Sequence, residues 1–237
     1  MSSNYSRSAP VLCFGDSLTE GYMGVWHHPT NAPSRQDPSL DTWPRGELET
    51  VRFHPYSVHL GAALAGDASP GDRAAGYAGA LRHAVAHAYS GWKAEELRAP
   101  LSAALARGPW RACVVQAGVN DVVGGAAAER TLPHVLALYE ACDRAGVPVV
   151  VVPNTDADLV HHGMCADGVG ARRELVELAR LLSEAAREKG RPVARAREEM
   201  PMEPSHSHLW DDCVHYSAAG AAVMAKIVYR TMCDHDL

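Results

Sequence analysis

No apolar stretch in this 237-residue sequence approaches the ~18 residues that would suggest a membrane-spanning helix. The first ten residues, MSSNYSRSAP, are polar and lack the apolar core of a secretory signal, so a cytoplasmic location is the expectation. No run of like charges marks a basic or acidic tail. The formal net charge of -6 argues against strong electrostatic attraction to nucleic acid or an anionic membrane surface. The six cysteines, Cys13, Cys113, Cys142, Cys165, Cys213 and Cys233, include no C-x-x-C pair and are expected to be reduced thiols. Histidine is plentiful at 13 residues, but His27 with His28, His161 with His162 and His206 with His208 carry no H-E-x-x-H spacing. No metal site is expected. No internal repeat and no linker divides the chain, so one domain over 1–237 is expected.

What is present is an alternation of strand-length apolar runs with segments of helical period. Strands are expected over 10–14, 79–87, 111–117, 147–152 and 192–196. The runs 11–14 and 149–152 are continuously apolar, as a strand covered on both faces requires. Tyr56, Leu60 and Leu64 repeat every fourth residue, as do Leu97, Leu101 and Leu105. A helix from Thr131 has Pro133 in its first turn, Val135, Leu138 and Cys142 inward, and Gly146 as its stop. The segment 171–189 places Leu175, Leu178, Leu182 and Ala185 on one face before Gly190 and Pro192. A last helix starts near Ser217 and turns Val223, Ile227 and Thr231 or Val228 inward. Strand–helix alternation over the whole length implies right-handed βαβ units and a three-layer α/β/α sandwich. Residues 23–53 do not fit: rich in Pro, Asp, His and Trp, they form an irregular insertion that either overhangs the site or is a plain surface loop.

The stretch "VLCFGDSLTEGY" ends a buried strand abruptly on Ser17. In a doubly wound sheet, ligands bind beyond the carboxyl ends of the strands, where the second strand brings Ser90 and Gly91 and the third brings Gly118 to Asp121. A serine hydroxyl needs a base to become a nucleophile. In "WDDCVHYSAAG", Asp212 precedes His215 by three residues. A carboxylate there can accept the imidazole Nδ1–H and leave Nε2 as the base for Ser17. Asp211 competes for that role, but its adjacent placement points it elsewhere. Donors for a developing oxyanion are the Gly91 N–H, which no Cβ obstructs, the Asn120 side-chain amide and the Ser17 N–H. "PNTDADLV" follows the fourth strand near the same crevice, making Asn154 and Thr155 candidate substrate contacts, or else parts of a capped turn.

In these residues the chain resembles the GDSL, or SGNH, hydrolase family. Its first block matches "FGDSLTEGY", its second-block glycine matches Gly91 in "YSGWKAEEL", its Gly-x-Asn-Asp block matches "GVND", and its Asp-x-x-His block matches Asp212 to His215. All four occur in family order. The resemblance implies a flavodoxin-like parallel sheet of five strands in the order 2-1-3-4-5 and a serine esterase. Ser17 would be the nucleophile, His215 the base and Asp212 its orienting partner, with Ser17, Gly91 and Asn120 forming the oxyanion hole. It implies no organic cofactor, a small-molecule ester as the binding partner, and structural roles for Asp16 and Asp121. Trp92 and Lys93 depart from the small polar residue often found after the second-block glycine; Trp92 either lines the acyl or alcohol pocket or packs on the sheet. The G-x-S-x-G elbow of α/β-hydrolases is absent. Ester hydrolysis with a short acyl chain is the expected reaction. Acyl transfer to a sugar or other alcohol uses the same triad. A catalytically silent binding module would have no need of the whole set.

Overall fold

The computed structural model describes residues 9–24, 51–53, 55–66, 83–160 and 165–237. At its centre is a parallel sheet of four strands in spatial order β4-β1-β5-β6. These are β1 (Val11–Gly15), β4 (Ala84–Ala88), β5 (Ala112–Gln116) and β6 (Val149–Val151). β1 pairs over its full length with β4 on one side and β5 on the other, and every one of its residues is buried. That double enclosure is why its sequence is continuously apolar rather than alternating. In strand-sequence terms the order is 2-1-3-4.

The expected fifth strand over 192–196 does not form. It is reduced to one parallel bridge, Val193 beside Val151, held by Val151 N–H to Pro192 O and Ala194 N–H to Val151 O, each 2.8 Å. Pro192 has no N–H to extend a ladder, and a short helix, α7 (Ala196–Glu199), takes over the chain immediately afterwards.

Helices cover the sheet in two groups. α2 (Tyr56–Leu64) packs on α8 (Ala218–Asp234), while α3 (Arg98–Leu105), α5 (Ala128–Arg144) and α6 (Gly168–Glu188) pack in sequence with one another. The leucine spacings read above are the buried faces: Leu97, Leu101 and Leu105 around α3, and Leu175, Leu178 and Leu182 on α6. Ala186 rather than Ala185 completes the α6 face, four residues on from Leu182 as the helical period requires. α5 starts at Ala128, earlier than its proline suggested, so Pro133 lies inside it. The Glu174 carboxylate of α6 accepts the Ala128 N–H at 2.7 Å and caps the helix from outside its own sequence. In α8, Ser217 is the N-cap, accepting the Gly220 N–H at 3.1 Å, and Ile227, Val228 and Thr231 are buried.

The ends of the expected insertion are ordered against each other. β2 (Tyr22–Gly24) and β3 (Val51–Phe53) form an antiparallel ribbon with Tyr22 opposite Phe53. Residues 25–50 lie outside the described residues, as does the 79–82 portion of the expected second strand. Among the described residues no helix is long and apolar enough to cross a membrane.

Candidate active site

β1 delivers the chain to Gly15, where a Cβ would lie 2.1 Å from Gln116 O and 2.4 Å from Thr19 Oγ1. Only glycine fits so close to β5. Asp16 follows as an N-cap, its Oδ1 accepting the Leu18 N–H at 3.1 Å. It opens α1 (Ser17–Glu20), a single turn closed by Gly21 in the left-handed region at φ 73°. Ser17 is therefore the first helical residue, pinned at the carboxyl end of the central strand, and only 7% of it is exposed.

The imidazole comes from the opposite end of the chain. Trp210 and Tyr216 form an antiparallel bridge, Asp211 N–H donates to His215 O at 2.9 Å, and the tight turn between them carries Asp212 and His215. Asp212 Oδ1 accepts the backbone N–H groups of Val214 and His215, each at 2.7 Å. Its Oδ2 lies 2.7 Å from His215 Nδ1, and His215 Nε2 lies 2.9 Å from Ser17 Oγ. With Nδ1–H donated to the carboxylate, Nε2 is the acceptor for the serine proton. Burial raises the Asp212 pKa, but the His215 contacts and the two backbone donors outweigh it and hold the carboxyl at about 2. Asp211 is exposed.

Two further strand ends close the crevice. The Asn120 side-chain amide, in the short helix α4 (Val119–Val123) after β5, donates to Trp92 O at 3.0 Å. Next to it, Asp121 Oδ2 accepts the Ala94 N–H at 2.9 Å, and burial pushes the Asp121 pKa up. These two bonds tie the loop that carries Gly91 to the end of β5. Gly91 has φ +79° with open space where a Cβ would be, so its backbone, not crowding, demands glycine. Trp92 is half-buried and its ring lies against Tyr89 at 4.8 Å between centroids, tilted by 33°. Thr155 Oγ1 is engaged with Tyr216 OH at 3.0 Å, and Gln116 Nε2 donates to the same hydroxyl at 2.8 Å. Thr155 thus anchors the residue next to His215. Asn154 is 1% exposed, and its side-chain oxygen and nitrogen have no hydrogen-bond partner among the described residues.

Three features carried no sequence signal. Glu20, buried in α1, accepts a hydrogen bond from Ser90 Oγ. Tyr216 gathers Gln116 and Thr155 around the histidine turn. Asp156 is held between Arg172 and Arg197 at 3.2 and 3.3 Å. Each partnership joins residues far apart in the chain, so no local pattern could reveal it. Among the described residues, no group of three or more His, Cys, Asp or Glu side chains is placed to hold a metal ion. His27, His28, His161 and His162 lie outside the described residues.

Burial drives the Asp16 carboxyl up to about 7, against the Leu18 N–H and the charge of His215, which lower it. Its Oδ2 is buried with no hydrogen-bond partner among the described residues, consistent with a site that retains a proton. A carboxyl whose folded pKa is raised favours the folded state at low pH, and that contribution is lost as pH rises from the unfolded value toward the folded one. Asp16→Asn keeps an oxygen for the Leu18 N–H and cannot ionise. The melting temperature of the variant relative to wild type should therefore rise between about pH 4 and pH 8; parallel pH profiles for the two proteins would contradict the assignment.

Residues 13–223 match the model of the GDSL-like lipase/acylhydrolase family. No curated protein sequence matches the chain. Among solved structures, the fold is similar to Est24, a carbohydrate acetylesterase from Sinorhizobium meliloti, at TM-score 0.66 and 18% identity, covering 95% of this chain and 99% of that one. A lipase/acylhydrolase from Enterococcus faecalis aligns at TM-score 0.65 and 15% identity, covering 95% and 96%. A GDSL-like lipase from Bacteroides thetaiotaomicron aligns at TM-score 0.63 and 12% identity, covering 95% and 88%.

Proposed function

The chain belongs to the GDSL-like lipase/acylhydrolase family, and from that premise we propose that it is a serine esterase that cleaves short-chain carboxylic esters through an acyl-serine intermediate. The observation that carries this reading is the unbroken chain from Asp212 Oδ2 through His215 to Ser17 Oγ, with its 2.7 and 2.9 Å links.

Ser17 Oγ attacks the ester carbonyl carbon as its proton passes to His215 Nε2. Asp212 stays ionised, fixes the imidazole tautomer and stabilises the imidazolium. The carbonyl oxygen becomes an oxyanion that the Ser17 N–H, the Gly91 N–H and the second N–H of the Asn120 amide receive; the first N–H is occupied by Trp92 O. Collapse expels the alcohol, which takes the proton from His215. Water, deprotonated by the same imidazole, then attacks the acyl-serine, and a second collapse frees the acid and restores Ser17.

Asn120→Ala should lower kcat by about 10²- to 10³-fold, the usual cost of one oxyanion donor, with little change in melting temperature. Unfolding of the variant would assign Asn120 a structural role instead. The short-acyl part of the reading is supported by the acetylesterase activity named for Est24, whose fold the chain shares. A p-nitrophenyl ester series from acetate to palmitate tests it. Turnover should be highest for acetate or its near neighbours, and preference for the longest chain would overturn it.

A further inference from the structure

We infer that Glu20 is a positioning residue that sets the Gly91 N–H in the oxyanion hole by gripping Ser90, an inference that rests on the esterase reading above. Glu20 closes the same one-turn helix that Ser17 opens, and it is only 5% exposed. Its carboxylate accepts a hydrogen bond from the hydroxyl of Ser90, the residue that precedes Gly91. A polar side chain taken out of water demands hydrogen-bond partners, so the Glu20 oxygen and the Ser90 hydroxyl hold one another.

The neighbouring contacts show why this bond bears on the oxyanion hole. Tyr89 N–H donates to Gly15 O at 2.9 Å, just before the nucleophile. Beyond Gly91, Trp92 O accepts from Asn120 and Ala94 N–H donates to Asp121. The loop is thus clamped on its upstream side to the nucleophile turn and on its downstream side to α4. Gly91, with its positive φ, is the most conformationally permissive position between the clamps. Ser90 is the upstream neighbour whose side chain is held, and Glu20 holds it. One short helix therefore carries both the attacking oxygen and the group that aims the Gly91 donor, so the two keep a fixed spacing.

The action is by hydrogen bonding rather than by charge, and that separates the outcomes. Glu20→Ala and Ser90→Ala should each lower kcat on p-nitrophenyl acetate by about 10- to 100-fold with KM unchanged, because a displaced donor fails the transition state more than the ground state. The double variant should fall no further than the worse single one. Glu20→Gln retains an oxygen for Ser90 and should restore most of the rate with an unaltered pH profile. Additive losses, losses confined to KM, or a Glu20→Gln variant as slow as Glu20→Ala would overturn the inference.

A readout without turnover keeps this test apart from the esterase reading. Ser90–Gly91 is the one Ser-Gly pair in the sequence, so carbonyl-¹³C serine with ¹⁵N glycine labelling yields a single NMR correlation, that of the Gly91 amide. In Glu20→Ala this peak should shift and broaden, and in Glu20→Gln it should stay near its wild-type position. An unmoved peak in Glu20→Ala sinks the positioning role even if the enzyme proves active. A displaced peak in a protein that cleaves no ester would instead fault the esterase reading.

Discussion

Ser17→Ala is expected to lower kcat by about 10⁵- to 10⁶-fold, the scale on which removal of an activated serine acts, and to leave the fold intact. Both halves follow from where Ser17 sits. Its hydroxyl has one described partner, His215 Nε2 at 2.9 Å, and no part in holding α1. The helix is capped by the Asp16 carboxyl oxygen through the Leu18 N–H and closed by the Gly21 N–H on the Ser17 carbonyl. Those are contacts of the Asp16 side chain and of the backbone, which alanine preserves, and alanine has the highest helix propensity. Loss of Oγ leaves the imidazole without its acceptor-side partner but removes no buried apolar contact. The melting temperature should move by only a few degrees, the range of about 1 kcal/mol in a chain of this size. A variant with turnover of the wild-type order would show that another group does the attack.

Asp212→Asn is expected to lower kcat by about 10⁴-fold while the histidine turn survives. The remaining side-chain oxygen can still accept the Val214 and His215 N–H groups, both 2.7 Å away in the wild type. The amide nitrogen then faces His215 Nδ1 as a donor. Nδ1 must become the acceptor, the proton moves to Nε2, and Nε2 can no longer receive the serine proton. The negative charge that would stabilise the imidazolium is also gone. The pH dependence of stability offers an independent reading. With the folded Asp212 held at about 2 against an ordinary value of 3.8, its carboxylate contributes stability above the unfolded pKa. That contribution is lost as pH falls through the folded value. The stability gap between wild type and Asp212→Asn should therefore close as pH drops from neutrality toward about 2. Urea midpoints measured across that range check it, and a gap independent of pH would contradict the charged role assigned to Asp212.

The parts of this architecture that were legible in the sequence are those whose cause is local. A strand enclosed on both sides must be apolar throughout, so 11–14 and 149–152 announced themselves. Helical faces showed in the spacing of Leu97, Leu101 and Leu105. Asp212 and His215 were readable because three residues suffice to bring a carboxylate to its own imidazole. The pairing with Ser17, 198 residues away, was reachable only through the rule that strand ends share a crevice, together with the family resemblance. What escaped was set by distant partners. The start of α5 at Ala128 depends on Glu174, a residue of another helix. Glu20 reads as an ordinary polar residue of a turn until Ser90 is seen beside it. The position of Thr155 after β6 leaves a substrate contact or a capped turn open, and the meeting of its hydroxyl with Tyr216 has no local signal. The fifth strand stops at a single bridge for a local reason, the N–H that Pro192 lacks.

The most direct test is covalent. The intact protein is treated with a p-nitrophenyl alkylphosphonate, digested and mapped by mass spectrometry, alongside His215→Ala. The account predicts one adduct, on Ser17, forming rapidly in the wild type and only slowly without the imidazole. An adduct on a different residue, or labelling of Ser17 at the same rate in His215→Ala, would contradict it.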